Sequence, residues 1–191
     1  MIAKYKAIIL FLFLQTSVFS QDLGKVYFAG GCFWCMEESF EKKEGVIEVI
    51  SGYSGGTTEN PTYEEVTYED TGHFETIEII FDKNKTNYQD LLDHFWKNID
   101  PFDEYGQFCD RGYSYRSVAF YENDEQKNLI EISIMRLEKK FNKKIVTYVR
   151  KFDKFYQAED NHQNYYEVKF LNYLRYKKAC GREKKLNKIW N

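Results

Sequence analysis

Several features are scarce in this chain of 191 residues, and each scarcity argues against a class of protein. The three histidines form no ligand doublet and only one pair of cysteines is closely spaced, which disfavours a zinc site built from two such pairs. Basic residues number 27 against 30 acidic ones, and a mildly acidic protein binds nucleic acid poorly. We therefore expect no metal, no organic cofactor and no nucleic-acid partner.

The chain also lacks an apolar run long enough to span a bilayer, but its first twenty residues resemble a secretory signal peptide. Lys4 and Lys6 precede a short apolar run, and small residues stand before the expected cut after Ser20. An uncleaved membrane tether is the weaker alternative. We expect residues 1–20 to be removed and residues 21–191 to form one domain, exported to a periplasm or secreted and not attached to a membrane.

Hydrophobic periodicity predicts alternating strands and helices. The predicted strands are 26–29, 46–50, 74–82, 115–121 and 145–150. The predicted helices are 33–42, a short one after Pro61, 87–99, 124–141 with Asp124 as its cap, 163–178 and 182–190. Residues 52–56 read as a loop by composition. This order predicts an α+β fold, a two-layer sandwich with a ferredoxin-like split βαβ core.

Near the C-terminus, basic residues alternate with apolar ones at helical spacing, which is typical of a solvated helical face. These residues are Arg175, Lys177, Lys178, Arg182, Lys184, Lys185 and Lys188. We expect this tail to be mobile.

The segment most indicative of chemistry is Gly30-Gly31-Cys32-Phe33-Trp34-Cys35, between a predicted strand and a predicted helix. Free backbone N–H groups and the positive end of a helix dipole stabilise a thiolate, so this position favours a reactive Cys32. The two aromatic rings beside the sulfur would suit a small apolar group such as a methyl. A buried cysteine that only packs is the simpler interpretation, and the surrounding pattern disfavours it.

Glu75 lies on the same face of its predicted strand as Ile77, Ile79 and Phe81. Burial among these apolar side chains would raise the pKa of its carboxyl. A protonated carboxyl is a hydrogen-bond donor and a proton source, which suits an oxygen that becomes basic during a reaction. A strand-end glutamate that turns out to water is the alternative.

Taken together, the motifs resemble one family, the class A peptide methionine sulfoxide reductases, over nearly all of the chain that follows the leader. The six motifs, in the family's order, are Gly31-Cys32-Phe33-Trp34, Gly52-Tyr53-Ser54-Gly55-Gly56, Asn60-Pro61-Thr62-Tyr63, Thr71-Gly72-His73-Phe74-Glu75, Asp110-Arg111-Gly112-Tyr113-Ser114-Tyr115-Arg116-Ser117 and Ala158-Glu159-Asp160-Asn161-His162-Gln163. Each motif alone is weak, but six in this order are specific.

The resemblance implies a role for seven residues. Cys32 would be the nucleophile that attacks the sulfoxide sulfur and becomes a sulfenic acid, and Phe33 and Trp34 would hold the S-methyl group. Glu75 would be the acid for the sulfoxide oxygen. Tyr63 and Tyr115 would hydrogen-bond that oxygen, with Asp110 supporting the network.

The resolving thiol is left open, because Cys35 stands where many relatives have glycine. Cys35 is one helical turn from Cys32, which allows a disulfide with little rearrangement. Cys180, in the tail, is the second candidate. We favour Cys35 as the first to react and Cys180 as the thiol that passes the disulfide onward. Cys109 could be a packed or a pairing thiol.

These observations predict a monomeric enzyme that reduces methionine S-sulfoxide, free or in proteins, with electrons from a thioredoxin-like partner. Two alternatives remain at this point. One is a C-x-x-C thiol-disulfide oxidoreductase that uses Cys32 and Cys35, with no need for Glu75 or Tyr63. The other is a non-catalytic binding module in which all four cysteines are paired.

Overall fold

The computed structural model describes residues 22–191, so the predicted signal peptide lies outside the described residues. The strands are β1 (Leu23–Gly30), β2 (Val46–Ser54), β3 (Phe74–Asp82), β4 (Gly106–Gln107), β5 (Asp110–Arg111), β6 (Ser117–Tyr121), β7 (Tyr148–Lys151) and β8 (Phe155–Gln157). The helices are α1 (Phe33–Glu41), α2 (Tyr63–Tyr68), α3 (Tyr88–Lys97), α4 (Asp124–Phe141), α5 (Tyr165–Val168), α6 (Phe170–Cys180) and α7 (Arg182–Trp190). No helix within residues 22–191 has the length and apolar character needed to cross a membrane.

The main sheet has the strand order β7-β6-β1-β3-β2-β8. Its four central strands form two interlocked βαβ units. Helix α1 joins β1 to the parallel strand β2, and β3 lies between them, antiparallel to both. This arrangement is the predicted split βαβ core, and the α+β class is confirmed.

The larger core lies between one face of the sheet and helices α1, α3 and α4. Phe28, Ile77 and Ile79 of the sheet are fully buried there, against Phe40 of α1 and Phe95 of α3. Because side chains alternate along a strand, Glu75 points to the same helical side as Ile77 and Ile79. The fold thus places this carboxyl under the first turn of α1.

The other face of the sheet has a smaller apolar cluster, which includes Tyr27, Phe74 and Phe120. It is covered by the chain that follows β7, and Phe152 stacks on Tyr27 with ring centroids 3.7 Å apart. Strand β3 is therefore covered by apolar side chains on both faces of the sheet.

The structure corrects several predicted boundaries. Residues 52–54 were predicted as loop but extend β2, because Gly52 lets β8 approach so closely that a Cβ there would lie 2.3 Å from the Tyr156 carbonyl oxygen. Tyr115 lies in a 3₁₀ turn (113–115) before β6 instead of in the strand. Helix α4 is capped by Asn123, whose side chain accepts a bond from the Gln126 N–H, and Asp124 is its first residue.

The C-terminal tail is helical as predicted, but the first predicted helix is divided into α5 and α6, and residues of all three helices pack against the body of the domain. Arg182, predicted on a solvated face, is 4% exposed. Its guanidinium donates to the carbonyl oxygens of Gly30 and Asn98, at 3.2 and 2.6 Å. Backbone acceptors at the end of β1 and after α3 explain why this cation is buried.

Candidate active site

The turn between β1 and α1 brings the first thiol to the surface of the core. Gly31 has φ +78°, and a Cβ on it would lie 2.5 Å from Cβ of Gln107, so this position requires glycine. Cys32 follows as the N-cap residue of α1, and its carbonyl accepts bonds from the N–H groups of Cys35 and Met36. The predicted position of Cys32, at a strand-to-helix turn, is confirmed.

Glu75 lies directly below this turn. Its side chain is buried, and one oxygen accepts a hydrogen bond from the Phe33 N–H, at 3.0 Å. Burial outweighs this bond and, with the charge of Asp110 nearby, raises the pKa of the Glu75 carboxyl to about 8. The carboxyl is therefore protonated at neutral pH and can donate a proton, as the sequence pattern predicted.

A cavity of about 240 Å³, which we call the front cavity, opens beside Cys32. Its lining residues are Cys32, Phe33, Trp34, Tyr63, Glu75, Asp110, Tyr115 and Tyr176. Seven of these, all except Tyr176, are residues that the sequence predicted, drawn together from four separate motifs. A larger cavity of about 490 Å³ borders Gly55, Arg150 and Lys154, and none of the sequence-predicted site residues lines it.

Two phenols enter the front cavity from different elements. Tyr63 begins α2, and its N–H donates to Glu159 Oε1 at 2.8 Å, while the hydroxyl of Tyr53 donates to the other oxygen of Glu159. Tyr115 comes from the 3₁₀ turn. Burial, together with the neighbouring charge of Glu75, raises the pKa of both Tyr63 and Tyr115. Both phenols keep their protons and can act as hydrogen-bond donors.

The aromatic wall of the cavity is held by the tail. Trp34 stacks on Tyr165 with ring centroids 3.8 Å apart, and it also contacts Tyr176 edge-on at 6.0 Å. The Tyr176 hydroxyl donates to Asp110 Oδ2 at 2.6 Å. Helices α5 and α6 therefore fix both an apolar surface and an acidic residue of the site.

The two free thiols differ in a way that the sequence did not predict. Burial, a hydrogen bond to Cys35 and the nearby acids raise the pKa of Cys32, so the expectation of a stable Cys32 thiolate is wrong for this arrangement. The hydrogen bond from Cys32, and then the charge of Arg182 and the hydroxyl of Tyr173, lower the pKa of Cys35 to about 7. Cys35 is thus the thiol of the pair that ionises first.

The remaining cysteines form a disulfide, Cys109–Cys180, with Cα atoms 5.1 Å apart. Cys180 ends α6, is buried and is not a free thiol in this structure, and its role in passing the disulfide onward stays a prediction. Among the described residues, Cys109, Asp110 and Cys180 are the only cluster with metal-ligand spacing. Because its two sulfurs are bonded to each other, neither is available as a thiolate ligand.

Sequence reasoning missed four residues that build the site. Glu159 and His162 stood in the last motif without a role, although Glu159 orients Tyr63 and the His162 ring stacks on Tyr63 at 4.3 Å. Tyr176 and Arg182 come from the tail, more than 140 residues after Cys32. Their polar groups meet the site only through tertiary packing, which no local pattern signals.

Comparison with known proteins gives a consistent result. The family described as "Peptide methionine sulfoxide reductase" matches residues 24–191. A Bacillus velezensis protein named "Peptide methionine sulfoxide reductase MsrA" is 48% identical over 165 residues, covering 85% of this chain and 93% of that protein.

Solved structures agree with the fold. Mxr1 from Saccharomyces cerevisiae in reduced form superimposes with a TM-score of 0.71 at 26% identity, covering 80% of this chain and 90% of that one. Mxr1 in complex with Trx2 matches with a TM-score of 0.53 at 21% identity, over 78% and 91% of the two chains.

The buried carboxyl predicts a pH-dependent stability. The folded-state pKa of Glu75 is raised to about 8, whereas the unfolded chain releases this proton near pH 4.5. The free energy of unfolding of the parent should therefore fall as the pH rises from about 4.5 to 8. Glu75→Gln, which has no proton to release, should not show this fall. Urea unfolding should show the variant gaining a few kcal/mol on the parent from about pH 5 to pH 9. A difference that does not change with pH would contradict the burial argument.

Proposed function

The chain belongs to the peptide methionine sulfoxide reductase family, and from this premise we propose that the front cavity binds the side chain of methionine sulfoxide, free or in proteins. The reaction is thiol-dependent reduction of methionine sulfoxide to methionine. One observation carries the proposal at the level of residues. A thiol, a protonated carboxyl and two protonated phenols converge on one cavity with an aromatic wall.

The oxygen end of the sulfoxide is bound by donors. Glu75 gives its proton to the oxygen as the S–O bond weakens, and the phenols of Tyr63 and Tyr115 donate hydrogen bonds to it. Asp110, fixed by Tyr176, supports this network. Phe33 and Trp34 hold the methyl group, because a dry aromatic surface accepts an apolar group and excludes water.

The sulfur end is attacked by Cys32. Its raised pKa means that its proton must be removed during attack, and Cys35, whose pKa is lowered and which accepts the Cys32 hydrogen bond, is the base in position. The sulfoxide sulfur gains two electrons and leaves as the thioether of methionine. Cys32 loses two electrons and carries the oxygen and one proton as a sulfenic acid.

Cys35 then resolves the sulfenic acid. Its sulfur attacks the sulfur of Cys32, water leaves with the sulfenic oxygen, and a Cys32–Cys35 disulfide forms. Cys180 is already bonded to Cys109, which favours Cys35 for this step. A thioredoxin-like dithiol restores both thiols, and the complex of Mxr1 with Trx2 supports a partner of that kind. Every group that binds or reduces the sulfoxide comes from one chain, so one copy of this protein suffices for that half of the cycle.

The front cavity should accept only one epimer of the sulfoxide. A sulfoxide sulfur is pyramidal and carries an oxygen, a methyl group and the rest of methionine. Because the donors that bind the oxygen and the rings that hold the methyl group are fixed in the front cavity, only one epimer would present its sulfur to Cys32. We assign the S epimer, as the family resemblance implies.

Single-turnover analysis tests the roles of the two thiols. Reduced protein mixed with the S epimer, and no added reductant, should yield about one methionine per chain and lose both Cys32 and Cys35 as free thiols, while the R epimer yields none. Cys32→Ser should yield no methionine. Cys35→Ser should retain a sulfenic acid that dimedone labels, because its resolving thiol is absent. An unchanged yield of disulfide in Cys35→Ser would refute the assignment.

Steady-state kinetics tests Glu75. Because the acid form is required and its pKa is about 8, kcat/KM of the parent should fall as the pH rises above about 8. Glu75→Gln should lower kcat/KM by about 10²–10⁴-fold and remove this fall. Glu78→Gln is the matched control, since Glu78 lies on β3 but on the opposite face, bonded to Tyr27. Parent-like rates in Glu75→Gln would exclude it as the acid.

Export is the remaining part of the proposal. Lys4 and Lys6 before a short apolar run support a cleaved leader. Expression of the whole chain in a Gram-negative bacterium should place the protein in the periplasm with Gln21 at its N-terminus, as read by N-terminal sequencing. Full-length protein retained in the cytoplasm would contradict export.

A further inference from the structure

A second cavity, which we call the rear cavity, borders Cys35 from the side of helices α6 and α7. Its volume is about 210 Å³. Its lining residues are Cys35, Glu38, Ser39, Lys42, Asn98, Tyr173, Lys177, Arg182, Glu183 and Leu186. Cys35 lines the rear cavity but not the front one, and Cys32 lines the front cavity but not the rear one. The two residues of the reactive pair therefore line different cavities.

The rear cavity has one cation, Arg182, that forms no salt bridge within residues 22–191, although its charge also acts on Asp110 and lowers the pKa of that carboxyl against the larger effect of burial. Glu38 accepts from Lys42 and Lys177, and Glu183 pairs with Lys177. Arg182, by contrast, pairs only with carbonyl oxygens and the Met36 sulfur, and its buried Nη1 has no hydrogen-bond partner in the described part of the chain. A buried cation of this kind favours an anion beside it, and a thiolate is one.

We propose that the rear cavity is the entry site for the reductant, whose thiolate attacks Cys35 of the Cys32–Cys35 disulfide while Arg182 stabilises the negative charge. The inference rests on the proposed function, since it needs that disulfide to form. A bond forms between the incoming sulfur and Cys35, and the Cys35–Cys32 bond breaks. Cys32 leaves as a thiolate and takes up a proton.

The second thiol of the reductant completes the exchange. It attacks its partner sulfur in the mixed disulfide, Cys35 leaves as a thiolate, and the reductant ends as a disulfide. In this second step Cys35 is the leaving group, and the Arg182 charge and the Tyr173 hydroxyl, which lower its pKa, favour its departure because a thiol of low pKa leaves faster. In the first step, access through the rear cavity decides which sulfur is attacked. Attack on Cys32 would instead require the reductant to enter the cavity that holds the methionine side chain.

Two consequences follow for the catalytic cycle. Thiol–disulfide exchange proceeds with the incoming sulfur opposite the leaving one, and the rear cavity is on the Cys35 side of the pair. The disulfide can therefore be reduced before the methionine product has left the front cavity. Substrate and reductant do not compete for one opening.

Trapping on the unmodified protein tests the inference. Protein oxidised by one turnover is mixed briefly with glutathione, or in a second arm with a thioredoxin that retains only its attacking cysteine, and quenched with acid. Chymotrypsin cuts after Phe33 and Trp34, which separates Cys32 from Cys35 for mass spectrometry. A conjugate on Cys35 is expected, and the arm that gives it distinguishes a small thiol from a protein thiol.

A conjugate on Cys32, Cys109 or Cys180, or no conjugate in either arm, would overturn the inference. If the turnover itself leaves Cys32 and Cys35 unlinked, the proposed resolving step fails and the inference falls with it. Quantifying the Cys32–Cys35 disulfide before adding the thiol therefore separates the two failures.

Filling the rear cavity gives a second, kinetic test. Leu186→Trp adds bulk at the lining, whereas Lys188→Trp adds the same ring at an exposed position of the same helix. Leu186→Trp should slow reduction of the disulfide by dithiothreitol at least about tenfold and leave the single-turnover yield of methionine unchanged. Lys188→Trp should change neither. Unchanged reduction in Leu186→Trp would count against entry from this side.

Discussion

The site depends on one buried hydrogen bond, from the Phe33 N–H to the Glu75 carboxyl. It joins the first turn of α1 to the central strand β3, and so fixes the distance between the thiol and the acid. The bond uses one carboxyl oxygen and leaves the other for a proton, which burial retains at neutral pH. Any movement of α1 away from the sheet would separate the nucleophile from its proton donor.

The sequence predicted those parts of the molecule that local periodicity encodes. Alternation along β3 placed Glu75 beside Ile77 on the buried face, and both helix α4 and the split βαβ order follow from apolar spacing. The strand β8 was missed because its three residues carry no pattern of their own and form a strand only through pairing with β2 at Gly52. Burial of Arg182 was missed for a similar reason, since its carbonyl partners come from distant segments.

The chemistry of the pair of thiols could not be predicted from the motif. A helix N-terminus favours a thiolate, but burial, the hydrogen bond to Cys35 and the nearby Glu75 and Asp110 raise the pKa of Cys32. The cation and hydroxyl that favour ionisation stand instead beside Cys35, one turn further along α1. The environment separates the pKa values of two chemically identical side chains, and with them the roles of nucleophile and base.

The tail connects the two halves of the cycle. Helix α6 carries Tyr176, which holds Asp110 in the front cavity, and Tyr173, which lines the rear cavity beside Cys35. These residues are three apart and so lie on one face of the helix. The Cys109–Cys180 disulfide anchors the end of that helix next to Asp110. Because both cavities share this wall, a shift of α6 would change the acid network and the access to Cys35 together, which explains why a covalent bond at this point favours a single arrangement of the site.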